Sequence, residues 1–174
     1  NASRVLRGEI DALDQKAGRY LDEASRADKA TRVGKLSSAL DALVERAALN
    51  AELRIISVTG IGIVGRYSHA DVVAAFEAAL EDLKLAVEVS GAHADEFRSG
   101  LVDALKRRGY TVLATGVDGA DVKLSATVKT EDGGKGSGQA ASIHFARAII
   151  EVEVLNIAKE TVLGSFVESR KDGS

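Results

Sequence analysis

The sequence predicts an α+β fold in which an N-terminal helical hairpin leads into a mixed β-sheet with helices on one face. Three observations predict it. Apolar residues recur at helical spacing over residues 3–50, most segments beyond residue 83 alternate with period two, and helix-spaced apolar faces interrupt the first strands.

In the first helix Leu6, Ile10, Leu13, Ala17 and Leu21 keep one apolar stripe, and in the second Val33, Leu36, Leu40, Leu43 and Ala47 repeat it. The polar stretch Ser25–Arg32 suits the connection, with Asp28 placed to cap the second helix. Gly8, Gly18 and Gly34 each cost up to about 1 kcal/mol against alanine, so one longer bent helix is the alternative. Residues 1–50 form a hairpin or stalk in this reading, and residues 51–174 the α+β domain.

Leu53–Thr59 is rich in β-branched residues and closed by Gly60, which predicts a strand. After a glycine loop, Ser68 is placed to cap a helix whose apolar face is Val72, Val73, Phe76, Ala79, Leu80 and Leu83. Leu83, Leu85, Val87 and Val89 then alternate as a strand, unless that helix runs on to about Val87. A further helix is expected over Ala94–Arg108, built on Phe97, Leu101, Val102 and Leu105. Lys106, Arg107 and Arg108 lie at its negative end and Gly109 at the position after the cap. Strands are expected at Tyr110–Ala114, Asp121–Thr130, Ile143–Leu155 and Thr161–Glu168, and the five residues 156–160 are hairpin-sized. The resulting order is β-α-β-α-β followed by an antiparallel meander. Residues 131–141, with four glycines, are expected to form a mobile hairpin loop.

Composition narrows the chemistry. The 174 residues are 45% hydrophobic and 28% charged, enough for one domain or a domain with an appendage. Proline, cysteine, methionine and tryptophan are all absent. Average usage would supply about nine prolines, so the alphabet is restricted or residues have been lost from the chain. Without cysteine there is no disulfide framework, thiolate metal site or cysteine nucleophile. A formal net charge of −3 offers no basic footprint for nucleic acid. No apolar run approaches the roughly 20 residues that span a bilayer, so membrane contact is expected only through a tether outside these residues.

One motif carries a ligand reading. Gly60-Ile61-Gly62-Ile63-Val64-Gly65 matches G-x-G-x-x-G after an expected strand, and Glu88 follows near the end of the next strand. In a dinucleotide-binding turn such glycines let the backbone approach a pyrophosphate, and the acid binds a ribose. Gly60, Gly62, Gly65 and Glu88 are therefore the candidate cofactor-binding residues. The bland reading is a structural glycine loop, favoured because the helix starts beyond the motif, at Ser68, and further parallel βα units are lacking. His69 with Arg66 offers an anion site at a helix start, against a solvated loop histidine. His93 and His144 lie in different elements with no metal-ligand spacing, and Ser57, Ser68 and Ser99 lack a nucleophile elbow. Asp118, Asp121, Glu131 and Asp132 lack calcium-loop spacing. Neither a catalytic residue nor a metal site is assigned, no cofactor is implied outside the glycine-loop reading, and the balance lies against an enzyme.

From Leu85 onward the pattern resembles a known group. A helix ends Leu105-Lys106-Arg107-Arg108-Gly109-Tyr110-Thr111-Val112, and a strand runs Gly119-Ala120-Asp121-Val122-Lys123-Leu124. After a glycine-rich loop come Ile150-Glu151-Val152-Glu153-Val154-Leu155-Asn156 and Thr161-Val162-Leu163-Gly164-Ser165-Phe166. This resembles the small α/β domains of bacterial envelope lipoproteins: curli-secretion components, flagellar assembly factors and the twenty-kilodalton lipoprotein group. The resemblance implies a periplasmic or outer-membrane-associated interaction or assembly module without catalysis. It would join a protein partner or itself through an exposed sheet edge or the helical hairpin. No functional residue carries over.

Overall fold

The computed structural model describes residues 2–114, 116–135 and 144–173. The chain divides into two compact units, Asn1–Asp82 and Leu83–Ser174.

The first unit is helical. Helix α1 (Ala2–Arg26) and helix α2 (Lys29–Ile56) form the expected hairpin, broken at Ala27 and Asp28. Asp28 caps α2: its Oδ1 accepts from the Thr31 amide at 3.0 Å and its Oδ2 from the Thr31 hydroxyl at 2.8 Å. Leu13, Ala17 and Ala24 of α1 pack on Leu36, Ala39, Ala42 and Leu43 of α2. Helix α3 (His69–Asp82) adds Val72, with Phe76 and Ala79 beside it. Ser68 caps α3 as expected, its hydroxyl accepting from the Asp71 amide at 3.3 Å.

The strand expected at Leu53–Thr59 is absent. Leu53–Ile56 continue α2 and Ser57 is its C-cap, its amide donating to the Leu53 carbonyl at 2.9 Å. Packing overrides local β propensity here: Leu53 falls on the buried stripe of the helix and packs against Leu6 and Ile10, while Ile55 and Ile56 remain exposed. The helix therefore crosses residue 50 without a break, and the first of the two expected strand–helix–strand passages does not form.

The second unit holds a five-stranded sheet in the order β2-β1-β3-β4-β5. Its strands are β1 (Lys84–Gly91), β2 (Thr111–Val112), β3 (Val122–Lys135), β4 (His144–Asn156) and β5 (Thr161–Gly173), with helix α4 (Ala94–Arg107) between the first two. Strand β1 pairs in parallel with β2 and β3, and β3-β4-β5 is the antiparallel meander. The sheet is mixed as expected, but the strand after α4 is reduced to two residues. Helix α4 packs on β1 and β2, and Arg98 ties it down by donating to the Val87 carbonyl at 3.2 Å and the Ala114 carbonyl at 3.0 Å.

Gly109 ends α4 with φ +88°. Its amide donates to the Lys106 carbonyl and the Tyr110 amide to the Leu105 carbonyl, which together close a Schellman motif. Gly91 ends β1 at φ +97°, where an added Cβ would overlap the Val128 carbonyl oxygen. Residues 131–135 of the expected glycine loop are still strand, paired with β4 across a bulge between Asp132 and Gly134. Residues 136–141 of that expected loop, and Ile143 of the expected strand, lie outside the described residues.

Candidate interaction surface

The α1–α2 seam turns polar along α2. Asp14 and Arg46, only 3% and 8% exposed at their side chains, form an ion pair with Arg46 Nε 2.7 Å from Asp14 Oδ1. Arg46 Nη2 also donates to the Ile63 carbonyl at 3.2 Å. Asn50 grips the same residue from both sides: its Nδ2 donates to the Ile63 carbonyl at 3.1 Å, and its Oδ1 accepts from the Ile63 amide at 2.7 Å. The connection between α2 and α3 is thereby strapped onto the hairpin, with the Ile63 side chain packed on the Leu6–Ile10–Leu53 cluster.

The glycines of the motif serve this strap. Gly62 lies so close to the helices that a Cβ would come within 2.6 Å of Asn50 Oδ1, and Gly65 sits beside the Arg46 guanidinium. Gly60 takes φ +64°. The motif thus follows a helix, which corrects the expected strand–turn–helix setting, and Asn50 already engages the Ile63 amide. Gly60, Gly62 and Gly65 are together on one connection. Glu88 belongs to the other compact unit, on β1, where Lys123 Nζ is 2.5 Å away.

The remaining flagged residues stay apart. His69 begins α3, and Arg66 bonds Asp11 at 2.7 Å. His93 is the N-cap of α4 in a left-handed conformation, and His144 opens β4. The Ser57 and Thr59 hydroxyls bond each other at 3.0 Å. Among the described residues there is no group of three or more His, Asp and Glu able to hold a metal ion. No described helix is long and apolar enough to cross a membrane.

A different surface stands out at the sheet's end. Val89, Ala126, Val152 and Phe166 form one cross-strand row over β1, β3, β4 and β5. Ala126 and Val152 are buried in the middle of this row, but Phe166 is 54% exposed. Strand β5 is the terminal strand of the sheet order, 13 residues long, with Val162, Leu163 and Val167 exposed as well. An edge strand has a side of backbone donors and acceptors directed away from the sheet, and natural sheets commonly guard it with charge, proline or a covering element. Proline is absent from the chain. Here the first half of the strand carries apolar side chains, and the charges Glu168, Arg170, Lys171 and Asp172 follow in the second half. Sequence reasoning could have found it from Val162, Leu163, Phe166 and Val167, two adjacent apolar pairs that one buried face cannot absorb.

No protein-family model matches the chain, and no curated protein is similar to it. Solved structures similar to it include bacterial lipoproteins. One is lipoprotein GNA1162 from Neisseria meningitidis, 14% identical over 53% of this chain and 84% of that one, with a TM-score of 0.38. A minor lipoprotein from Acinetobacter baumannii is 12% identical over 52% of this chain and 68% of that one, also at 0.38. PelC from Paraburkholderia phytofirmans, described as a dodecamer, is 17% identical over 52% and 71%, again at 0.38.

Proposed function

We propose that this protein is a non-enzymatic module of the bacterial cell envelope, periplasmic or outer-membrane-associated, that assembles with further copies of itself through β5. The carrying observation is the exposed apolar edge strand, on which the buried row of the sheet ends at Phe166. The envelope setting rests on the strand and turn patterns of residues 85–170 and their resemblance to envelope lipoprotein domains.

Strand β5 is complementary to itself. In an antiparallel pair of two β5 strands centred on Ser165, Phe166 lies opposite Gly164, and regular pairing ends at Leu163, the extra residue of a bulge against β4. A Cβ on Gly164 would meet nothing within 4 Å, so there is room beside it for the partner's phenyl ring. Each added strand also engages backbone groups on the edge, which is how strand addition obtains affinity.

The absence of cysteine makes a direct test simple. Ser165→Cys would introduce the only thiol, and at the centre of the pair it would face its own copy at about 4.5–5.5 Å between Cα atoms, within disulfide range. Mild oxidation is expected to yield a covalent dimer. Ser169→Cys, four residues along, is expected to form no covalent dimer under the same oxidation. Equal cross-linking of both variants, or none of either, would refute this register.

A further inference from the structure

The connection between α2 and α3 carries no acidic side chain. From Leu53 to Ala70 there is no Asp or Glu, although the chain carries 26 of them, and the stretch holds Arg54 together with Arg66, which is paired with Asp11. The strap formed by Arg46, Asn50 and Ile63 fixes the connection's backbone from one side. The aliphatic residues on either side of the anchor point away from the hairpin: Val58 is 105% exposed, Val64 90%, Ile55 84% and Ile61 67%. Scattered exposed aliphatics are ordinary, but three on a pinned connection, with Ile55 at the end of the preceding helix, are not. Full exposure of Val58 and Val64 means that they project from the surface with no neighbouring protein atoms to cover them.

From this we infer that the α2–α3 connection inserts shallowly into a bilayer surface bearing anionic lipid. Aliphatic side chains on a projecting tip gain by entering the acyl boundary, and peripheral binding of this kind scales with buried apolar area plus attraction to anionic headgroups. Arg54 and the acid-free stretch supply the charge complementarity, in a chain whose formal net charge is −3. The Ser57 and Thr59 hydroxyls flank Val58 at headgroup level. A pinned connection loses little conformational freedom on insertion, which favours binding. This contact uses the chain's own residues, requires no tether, and is independent of β5.

The missing tryptophan makes the inference testable on the full chain. Val64→Trp places a single fluorophore on the tip and Val167→Trp a single one on β5. Vesicles of phosphatidylethanolamine with phosphatidylglycerol are expected to shift the emission of the first to the blue and leave the second unchanged. In cosedimentation, Val58→Asp with Val64→Asp is expected to weaken vesicle partition about tenfold or more. Because both residues are exposed, the circular dichroism and melting temperature of this variant should match the parent, which separates lost contact from lost fold. Equal binding to phosphatidylcholine alone, no binding to the anionic vesicles, or undiminished binding by the double variant would each overturn the inference. So would a wild-type oligomer that the same double variant converts to monomer, since the tip would then be a protein interface.

Discussion

Removing either member of the Asp14–Arg46 pair should damage the helical unit far more than removing both. Arg46→Ala deletes the 2.7 Å contact with Asp14 and the 3.2 Å bond to the Ile63 carbonyl. It leaves a carboxylate that is 3% exposed with no compensating cation. An orphaned buried charge of this kind costs about 3–5 kcal/mol, a large fraction of the 5–15 kcal/mol by which domains are commonly stable. Asp14→Leu leaves the guanidinium buried but still bonded to Ile63, so its cost should fall near the lower end of the same range. Combining Asp14→Leu with Arg46→Met replaces the pair by apolar groups of similar length, which is often neutral or stabilising; Asn50 still holds Ile63 through two bonds. Urea unfolding followed by helical circular dichroism measures this. With a slope near 2 kcal/mol per molar, Arg46→Ala should lower the midpoint by about 1.5–2.5 M, and the double variant should recover most of the loss. The coupling energy of the cycle should be about 2 kcal/mol or more. Single variants costing less than about 1 kcal/mol each and adding in the double variant would refute the reasoning.

The cap of α2 predicts that Asp28→Ala loses about 1 kcal/mol, readable as a lower thermal midpoint, whereas Asp28→Asn should lose much less. Gly91→Ala combines a positive φ with overlap on the Val128 carbonyl oxygen, and a loss above about 2 kcal/mol is expected; an unchanged melting temperature would contradict the geometry of the β1 end. For the glycine motif, the proposed function predicts no stabilisation by dinucleotides. Binding at one hundred times its dissociation constant would add about 2.7 kcal/mol, so a clear thermal shift that Gly62→Val removes would instead establish a ligand site on the glycine loop.

Apolar spacing carried most of the fold. Leu6, Ile10, Leu13 and Ala17 are buried as their stripe requires, and so are Leu36 and Leu43. The reading failed where the buried positions of α2 became polar. Arg46, Asn50 and Leu53 continue the helical spacing from Leu43, yet Arg46 and Asn50 look like surface residues and Ala47 like core; the structure buries the first two and exposes Ala47. With the apolar stripe lost at these positions, the β-branched run closed by Gly60 gave Leu53–Thr59 to a strand. Local signals that depend on one or two residues were legible, as at Asp28, Ser68 and Gly109. The strap could not be seen in advance, since it depends on Asn50 meeting Ile63 through folding of the intervening turn. Gly18 shows the same limit: counted as a cost to α1, it lies beneath the Tyr67 hydroxyl, which an added Cβ would displace. The edge strand was anticipated in kind, but its terminal place in the sheet order comes only from the pairing.

Sedimentation velocity of the full chain over a concentration series, compared with Gly164→Val, tests the assembly claim most directly. The glycine's φ lies outside the left-handed region and its surroundings are open, so valine suits the strand and leaves the fold intact. It also fills the space that the partner's Phe166 would enter. Assembly through β5 predicts a concentration-dependent dimer for the parent chain and a monomer for Gly164→Val at every concentration. A parent chain that stays monomeric throughout, or a variant that assembles as strongly as its parent, would contradict assembly through β5.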